Sequence, residues 1–271
     1  MIQSAVTISL VSEVRGGPFV FWDGLAAGCE QAAALGFEAV EIFPSSAEAV
    51  DARELRRLLD KHNLKLAAMG TGAGWAVRKL RLTDPDPKLR RQAHDFIAGI
   101  INLAGSFNAP AIVGSLQGRW EGDVSKAQAL IWLGEALEQL GPRAHEHGVP
   151  LLYEPLNRYE TNLFNRVEDV LEFLKGLRTQ NIKILCDLFH MNIEEADVAS
   201  TLRQCGEKLG HVHFADSNRR AIGFGHLDVG PIQSTLKEMN YQGYLSAEIL
   251  PIPDSNAAAA QTMKAFKQWF R

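Results

Sequence analysis

Short apolar or β-branched runs alternate along this chain with longer segments whose apolar positions recur at helical spacing. Eight such runs stand out: SAVTISL (4–10), AVEIF (39–43), LKLAAMG (64–70), AIVGS (111–115), PLLYEP (150–155), IKILCD (182–187), HVHFA (211–215) and YLSAEI (244–249). Each precedes a segment of helical period, at 23–36, 51–62, 86–106, 124–147, 167–178, 194–208, 230–239 and 255–271. Regular separation of short strands by helices is the pattern of repeated parallel strand-helix units, not of a meander. Eight units predict a closed (β/α)8 TIM barrel, with residues 1–271 forming a single domain.

The junctions agree with this. Gly or Asn stands near the end of several helical segments just before the next strand, as in LGFEAV, HNLKLA, HGVPLL and LGHVHF, where a left-handed residue stops a helix. An open, doubly wound sheet would instead carry a glycine-rich phosphate turn after its first strand, and RGGPFVF is no GxGxxG.

Composition narrows the partners. Hydrophobic residues make up 46% and charged residues 22% of the chain, and the formal net charge is −4 with no long Lys/Arg run. That balance supplies no basic footprint for nucleic acid or an anionic membrane, so a small soluble ligand is expected. Cys29, Cys186 and Cys205 form neither a CxxC pair nor an even set, which fits a reducing, cytoplasmic setting. The first residues, MIQSAVTISL, lack the layout of a signal peptide, and no window approaches a membrane-spanning length of uninterrupted apolar residues.

In a barrel of this kind the reactive groups stand where strands end and βα loops begin. Glu154 ends the fifth run, Asp187 the sixth and Glu248 the eighth, while the seventh presents His213. Singly, a carboxylate at a strand tip caps a helix or pairs with an arginine. Four consecutive strands placing three carboxylates and an imidazole on one rim would repel one another strongly without a cation between them. The set therefore predicts one divalent metal ion. Oxygen and nitrogen ligands without thiolate suit Mn²⁺ or Co²⁺, with Mg²⁺ and Zn²⁺ as further candidates.

At these motifs the chain resembles a known family. YEPLNRYETNLFN, CDLFHMNIEE, HVHFADSNRR and AEI are similar to the metal and substrate motifs of the ketose 3-epimerases, the D-tagatose and D-psicose 3-epimerases of the xylose-isomerase-like TIM-barrel superfamily. The resemblance implies that Glu154, Asp187, His213 and Glu248 hold the metal and that Glu160, His190 and Arg219 contact substrate hydroxyls. It also implies a homodimer or homotetramer. Departures exist: HFADSN stands where a stretch like HTGESN is usual, so that Asp216 replaces a glutamate. The ligand spacing leaves one helix and one strand between successive ligands.

Several expectations follow. A metal to stabilise an enediolate and two carboxylates, Glu154 and Glu248, on opposite sides of it suit removal and return of a carbon-bound proton, as 3-epimerisation of a ketose requires. Gln117, Arg119, Trp120 and Trp75 lie in loops at the same rim and are expected near the substrate's far end. Glu41, at another strand tip, is either a substrate contact or half of an internal ion pair. The segment around His226 and Asp228 is expected to shape a loop and cap the following helix. Hydroxypyruvate isomerase, inosose dehydratase and sugar-phosphate epimerase chemistry are the alternatives, since metal and two carboxylates serve each. A three-zinc endonuclease fits less well, because strands 3 and 4 end in MGTGAG and GSLQG without further ligands. A sugar-binding barrel without catalysis would need no metal.

Overall fold

The computed structural model of the protein describes residues 1–271. Eight parallel strands close in chain order: β1 Gln3–Ser9, β2 Ala39–Phe43, β3 Lys65–Gly70, β4 Ala111–Val113, β5 Leu151–Tyr153, β6 Ile182–Asp187, β7 Leu209–His213 and β8 Tyr244–Ala247. Closure comes from β8 pairing back onto β1, with Gln3 opposite Tyr244 and Val6 opposite Ala247. The strands are buried on both faces almost throughout, which is why they read as apolar runs and not as alternating ones.

Ten helices surround the barrel: α1 Gly24–Leu35, α2 Ala52–His62, α3 Ala73–Ala76, α4 Pro87–Gly105, α5 Lys126–Glu146, α6 Val167–Lys175, α7 Leu188–Glu194, α8 Val198–Cys205, α9 Val229–Glu238 and α10 Ser255–Phe270. Aspartates start many of them. Asp51, Asp86, Asp197, Asp228 and Asp254 each accept a backbone N–H of the first turn, satisfying donors that a helix leaves orphaned. Gly36 and Asn63 end α1 and α2 in the left-handed region, at φ 87° and 51°, as the Gly/Asn punctuation predicts. No helix is long and apolar enough to cross a membrane.

Two helices fall outside the sequence pattern. The one-turn α3 follows β3, and α7 occupies the stretch between the strand run 182–187 and the helical segment expected from 194. Asp187 causes the second: its Oδ1 accepts the N–H groups of Phe189 and His190 at 2.7 and 3.4 Å, nucleating a helix directly at the strand end. The segment predicted as one helix from 194 accordingly begins only at Val198, after Glu195 in extended backbone.

The main apolar cluster lies between the barrel and its helices, joining Val6 and Ile42 to Leu55, Ile97, Leu137 and Phe266. A separate small cluster of Ala68, Ile112, Leu152 and Leu185 comes from β3 to β6. In the sheet Ala68 pairs laterally with Glu41 and Leu185 with His211. Since Glu41 and His211, from β2 and β7, touch each other at 2.7 Å, that shared face is the barrel interior. Small and aliphatic residues plug it on one side, and a polar layer fills the other.

Candidate metal and substrate site

Residues two apart on a strand share a face, so His211 and His213 of β7 both point into the barrel. Asp187, register partner of His213 on β6, stands beside it. Glu154 and Glu248 follow β5 and β8 by one residue each. One donor atom from each of Glu154, Asp187, His213 and Glu248 lies within 4.8 Å of the others. Nδ1 of His213 is the hub, 3.3 Å from Asp187 Oδ2, 3.4 Å from Glu248 Oε2 and 3.5 Å from Glu154 Oε1. All four residues are buried.

The far side of the imidazole is fixed. His213 Nε2 lies 3.0 Å from Glu41 Oε1, and His211 Nε2 lies 2.7 Å from Glu41 Oε2. A carboxylate accepts, so each imidazole donates from Nε2, and Nδ1 is the nitrogen that His213 turns toward the cluster. Glu41 is therefore half of an internal pair, the second of the two roles expected for it. Its carboxyl stays well below the usual range although burial opposes this, because His213 and His211 both stabilise the anion.

The electrostatics describe a site that wants a cation. Burial, with Glu248 adding to it, pushes the Glu154 carboxyl up. Burial also raises Asp187 and Glu248, but histidines and Arg219 outweigh it and leave both depressed. Against its own burial, His213 is driven well above its ordinary value by Glu41, Glu248, Asp187 and Glu154. Protonating the hub is how a cluster of carboxylates recovers a missing positive charge. Two buried atoms at the centre, Glu154 Oε1 and His190 Nε2, have no hydrogen-bond partner at all. Three carboxylates, one of them with an orphaned oxygen, and one imidazole nitrogen fit a divalent ion with oxygen and nitrogen ligands.

Room for this cluster depends on Gly114, which follows β4. A Cβ there would stand 2.6 Å from Glu154 Oε2. Above the cluster opens a cavity of about 280 Å³. Glu154, Glu160, Arg219 and Glu248 form its polar side, while Val11, Val14, Phe19, Phe43, Ala73 and Ala76 form an apolar wall from the loops after β1 and β3 and the end of β2. Arg219, held at φ 59°, crosses the top: it donates to Glu248 Oε2 at 2.8 Å and to Glu160 Oε1 at 3.0 Å, with its guanidinium 5.0 Å over the Phe189 ring. Asp216 holds the loop that carries Arg219. Its carboxylate accepts the N–H groups of Ser217 and Leu227 at Oδ1 and of Gly223 and Gly225 at Oδ2, all within 3.0 Å.

The structure gathers Glu160, His190 and Arg219, the residues expected to contact substrate, around the cluster. Gln117 and Trp120 are placed elsewhere. Gln117 is fully buried and committed: its amide donates to the carbonyls of Gly114 and Glu154, and its oxygen accepts from the Tyr153 hydroxyl. It braces the backbone of Glu154 and does not line the cavity. Trp120 is bound to Asn162 through both its backbone N–H and its indole N–H and does not line the cavity. Trp75 likewise lies outside it, with Lys79 over its ring, while its neighbours Ala73 and Ala76 supply the wall. Asp228 caps α9, and the His226 N–H closes on Ser217 Oγ, so that segment shapes a loop as predicted.

Three features escape the sequence reading. His211 carries a signal in hindsight, the two-residue spacing of HVH on one strand. The apolar wall carries none, because Val11, Phe19 and Phe43 are ordinary core residues by type. Asn157 is legible only through its partners, described below.

A closed parallel barrel with a buried, cation-demanding carboxylate and imidazole cluster at its C-terminal rim defines the class: a barrel enzyme built for metal-assisted chemistry on a small polar ligand. The chain belongs to the xylose isomerase-like TIM barrel family, which it matches over residues 29–269. Proteins similar to it include epimerases. It is 30% identical over 223 residues to D-psicose 3-epimerase of Enterocloster bolteae, covering 79% of this chain and 73% of that protein. It is 29% identical over 245 residues to L-ribulose 3-epimerase of a Methylomonas species, covering 86% and 83%. The crystal structure of D-allulose 3-epimerase from Methylomonas in complex with D-allulose superposes with a TM-score of 0.82 at 23% identity, covering 99% of this chain and 97% of that one. That superposition shows the fold.

Proposed function

We propose that this protein is a divalent-metal-dependent ketose 3-epimerase acting on a free, unphosphorylated ketose, with Glu154, Asp187, His213 and Glu248 holding Mn²⁺ or Co²⁺. The observation that carries the reading is the placement of Glu154 and Glu248. They arrive from β5 and β8 on either side of His213, both reach the donor cluster, and both border the one cavity above it. Inversion at carbon needs a proton removed from one face and returned to the other, and two opposed carboxylates supply this.

A divalent ion in the cluster supplies charge stabilisation for the oxygens of the deprotonated ketose. The chain's own residues do the rest. One glutamate takes the C3 proton, leaving the electron pair delocalised into the adjacent carbonyl as an enediolate. The other glutamate, entering the step as the protonated acid, delivers its proton to C3 from the opposite face, and solvent resets both glutamates between turnovers. Arg219 and Glu160 grip hydroxyls at the cavity mouth, and His190 donates toward an oxygen at its floor. The apolar wall excludes water from the carbanion-like intermediate, which lowers the local dielectric and strengthens these contacts.

The cavity's chemistry favours an unphosphorylated substrate. Its only guanidinium, Arg219, is already paired with Glu160 and Glu248, and no other cationic side chain lines it. A phosphate needs clustered N–H donors or free cations.

The test is a metal-supplemented assay across ketopentoses, ketohexoses and their phosphates in deuterated water. The expected product is a C3 epimer carrying one deuterium at C3, from a free ketose. Deuterium confined to C1, or loss of water from the substrate, would assign the chain to hydroxypyruvate isomerase or inosose dehydratase chemistry instead.

A further inference from the structure

The loop after β5 and the helix after β6 meet at one buried carboxamide. Asn157 is 2% exposed, and its Nδ2 lies 2.7 Å from His190 Nδ1 and 3.1 Å from Glu160 Oε1. Its Oδ1 accepts the Tyr159 N–H at 2.9 Å. The amide orientation is forced by these neighbours. Exchanging oxygen and nitrogen would set the Tyr159 N–H against an NH2 group and the Glu160 carboxylate against a carbonyl oxygen, two repulsions at once.

With Nδ2 the donor, His190 Nδ1 must accept. The Asn157 backbone N–H faces the same nitrogen at 3.4 Å, so a proton on Nδ1 would meet two donors. A neutral imidazole that accepts at Nδ1 carries its proton on Nε2. That nitrogen has no partner of its own. It points between Glu154 Oε1 at 3.8 Å and Asp187 Oδ2 at 3.9 Å, toward the centre of the cluster.

We propose that Asn157 is a positioning residue whose single carboxamide fixes the tautomer of His190, with Nε2–H aimed into the site, and holds Glu160 beside it before substrate arrives. Two side chains from different elements are thereby set by one group. The bidentate pair of Arg158 with Glu194, at 3.0 and 2.9 Å, bolts the same loop to α7 and keeps the joint closed. The consequence for catalysis rests on the proposed role of His190 and Glu160 as substrate contacts. The tautomer does not.

The experiment is long-range proton–nitrogen correlation NMR on the full-length protein labelled with ¹⁵N-histidine and loaded with diamagnetic Mg²⁺, the His190 signals being assigned with His190→Gln. Wild-type protein is expected to show His190 protonated on Nε2. In Asn157→Asp a carboxylate faces Nδ1 and draws the proton there, so the pattern reverses. In Asn157→Ala, which adds no charge beside Glu160, the two tautomers mix. Turnover of the ketose is expected to fall about 100-fold in both variants, the size of effect that a misplaced contact produces, with Mg²⁺ affinity unchanged. A wild-type proton on Nδ1, or an Asn157→Ala variant with wild-type tautomer and turnover, would overturn the proposal. A switched tautomer with undiminished turnover would uphold the positioning and overturn instead the role given to His190.

Discussion

Glu41 Oε1 and His213 Nε2 are 3.0 Å apart, joined across the barrel from β2 to β7. The bond aims Nδ1 at the three carboxylates and raises its basicity as a ligand. His211 takes the second oxygen of Glu41, so the carboxylate has no freedom to leave.

Glu41→Gln is therefore expected to weaken metal binding about 10- to 100-fold, the usual effect of losing a carboxylate behind a ligating histidine. Competition against a chelator, with Mn²⁺ or Co²⁺ as probe, measures it. Unchanged affinity would show that the ring is held by packing alone.

Glu154→Gln and Glu248→Gln keep shape and lose the base. Each is expected to cut epimerisation about 100- to 10,000-fold, the range for removing a general acid or base, while circular dichroism stays that of the folded barrel. Most activity surviving in both variants would remove these residues from the mechanism.

Gly114→Ala tests the space behind Glu154. The new Cβ would stand 2.6 Å from Glu154 Oε2, the end of a flexible side chain, so the carboxylate is displaced. A modest fall in melting temperature is expected together with a larger loss of metal affinity and turnover. A fall in melting temperature without loss of affinity would mean that Glu154 has room to move.

Asp216 ties down the loop carrying Arg219, and burial that would raise its carboxyl is outweighed by the N–H groups of Leu227, Gly225, Ser217 and Gly223, leaving it depressed. A carboxyl depressed in the folded state stabilises above its unfolded pKa, near 3.9, and that contribution is lost as pH falls through the folded value. Asp216→Asn, which cannot accept four N–H bonds, is expected to lose about 1–3 kcal/mol at neutral pH. The difference in melting temperature between wild type and variant should shrink below pH 4. A difference that does not change with pH would mean that the carboxylate's charge contributes nothing.

Among the site residues, the sequence by itself determined the four donors. Strand tips are fixed by local pattern: once IKILCD is a buried strand, Asp187 stands at its end, and the same holds for Glu154, His213 and Glu248. Repetition of strand and helix likewise determined the barrel, because only closure leaves eight parallel strands without an edge. The tertiary structure alone decided what lies between distant segments. Glu41 became the partner of His213 because a barrel brings β2 and β7 face to face across its interior, a relation no local spacing encodes. Gln117 was set against the backbone for a similar reason: its amide meets the carbonyls of Gly114 and Glu154 and the Tyr153 hydroxyl. Asn157 acquired its place between His190 and Glu160 only when the β5 loop met α7. Chemistry carried by a single strand end is written locally; chemistry that needs two elements to converge waits for the fold.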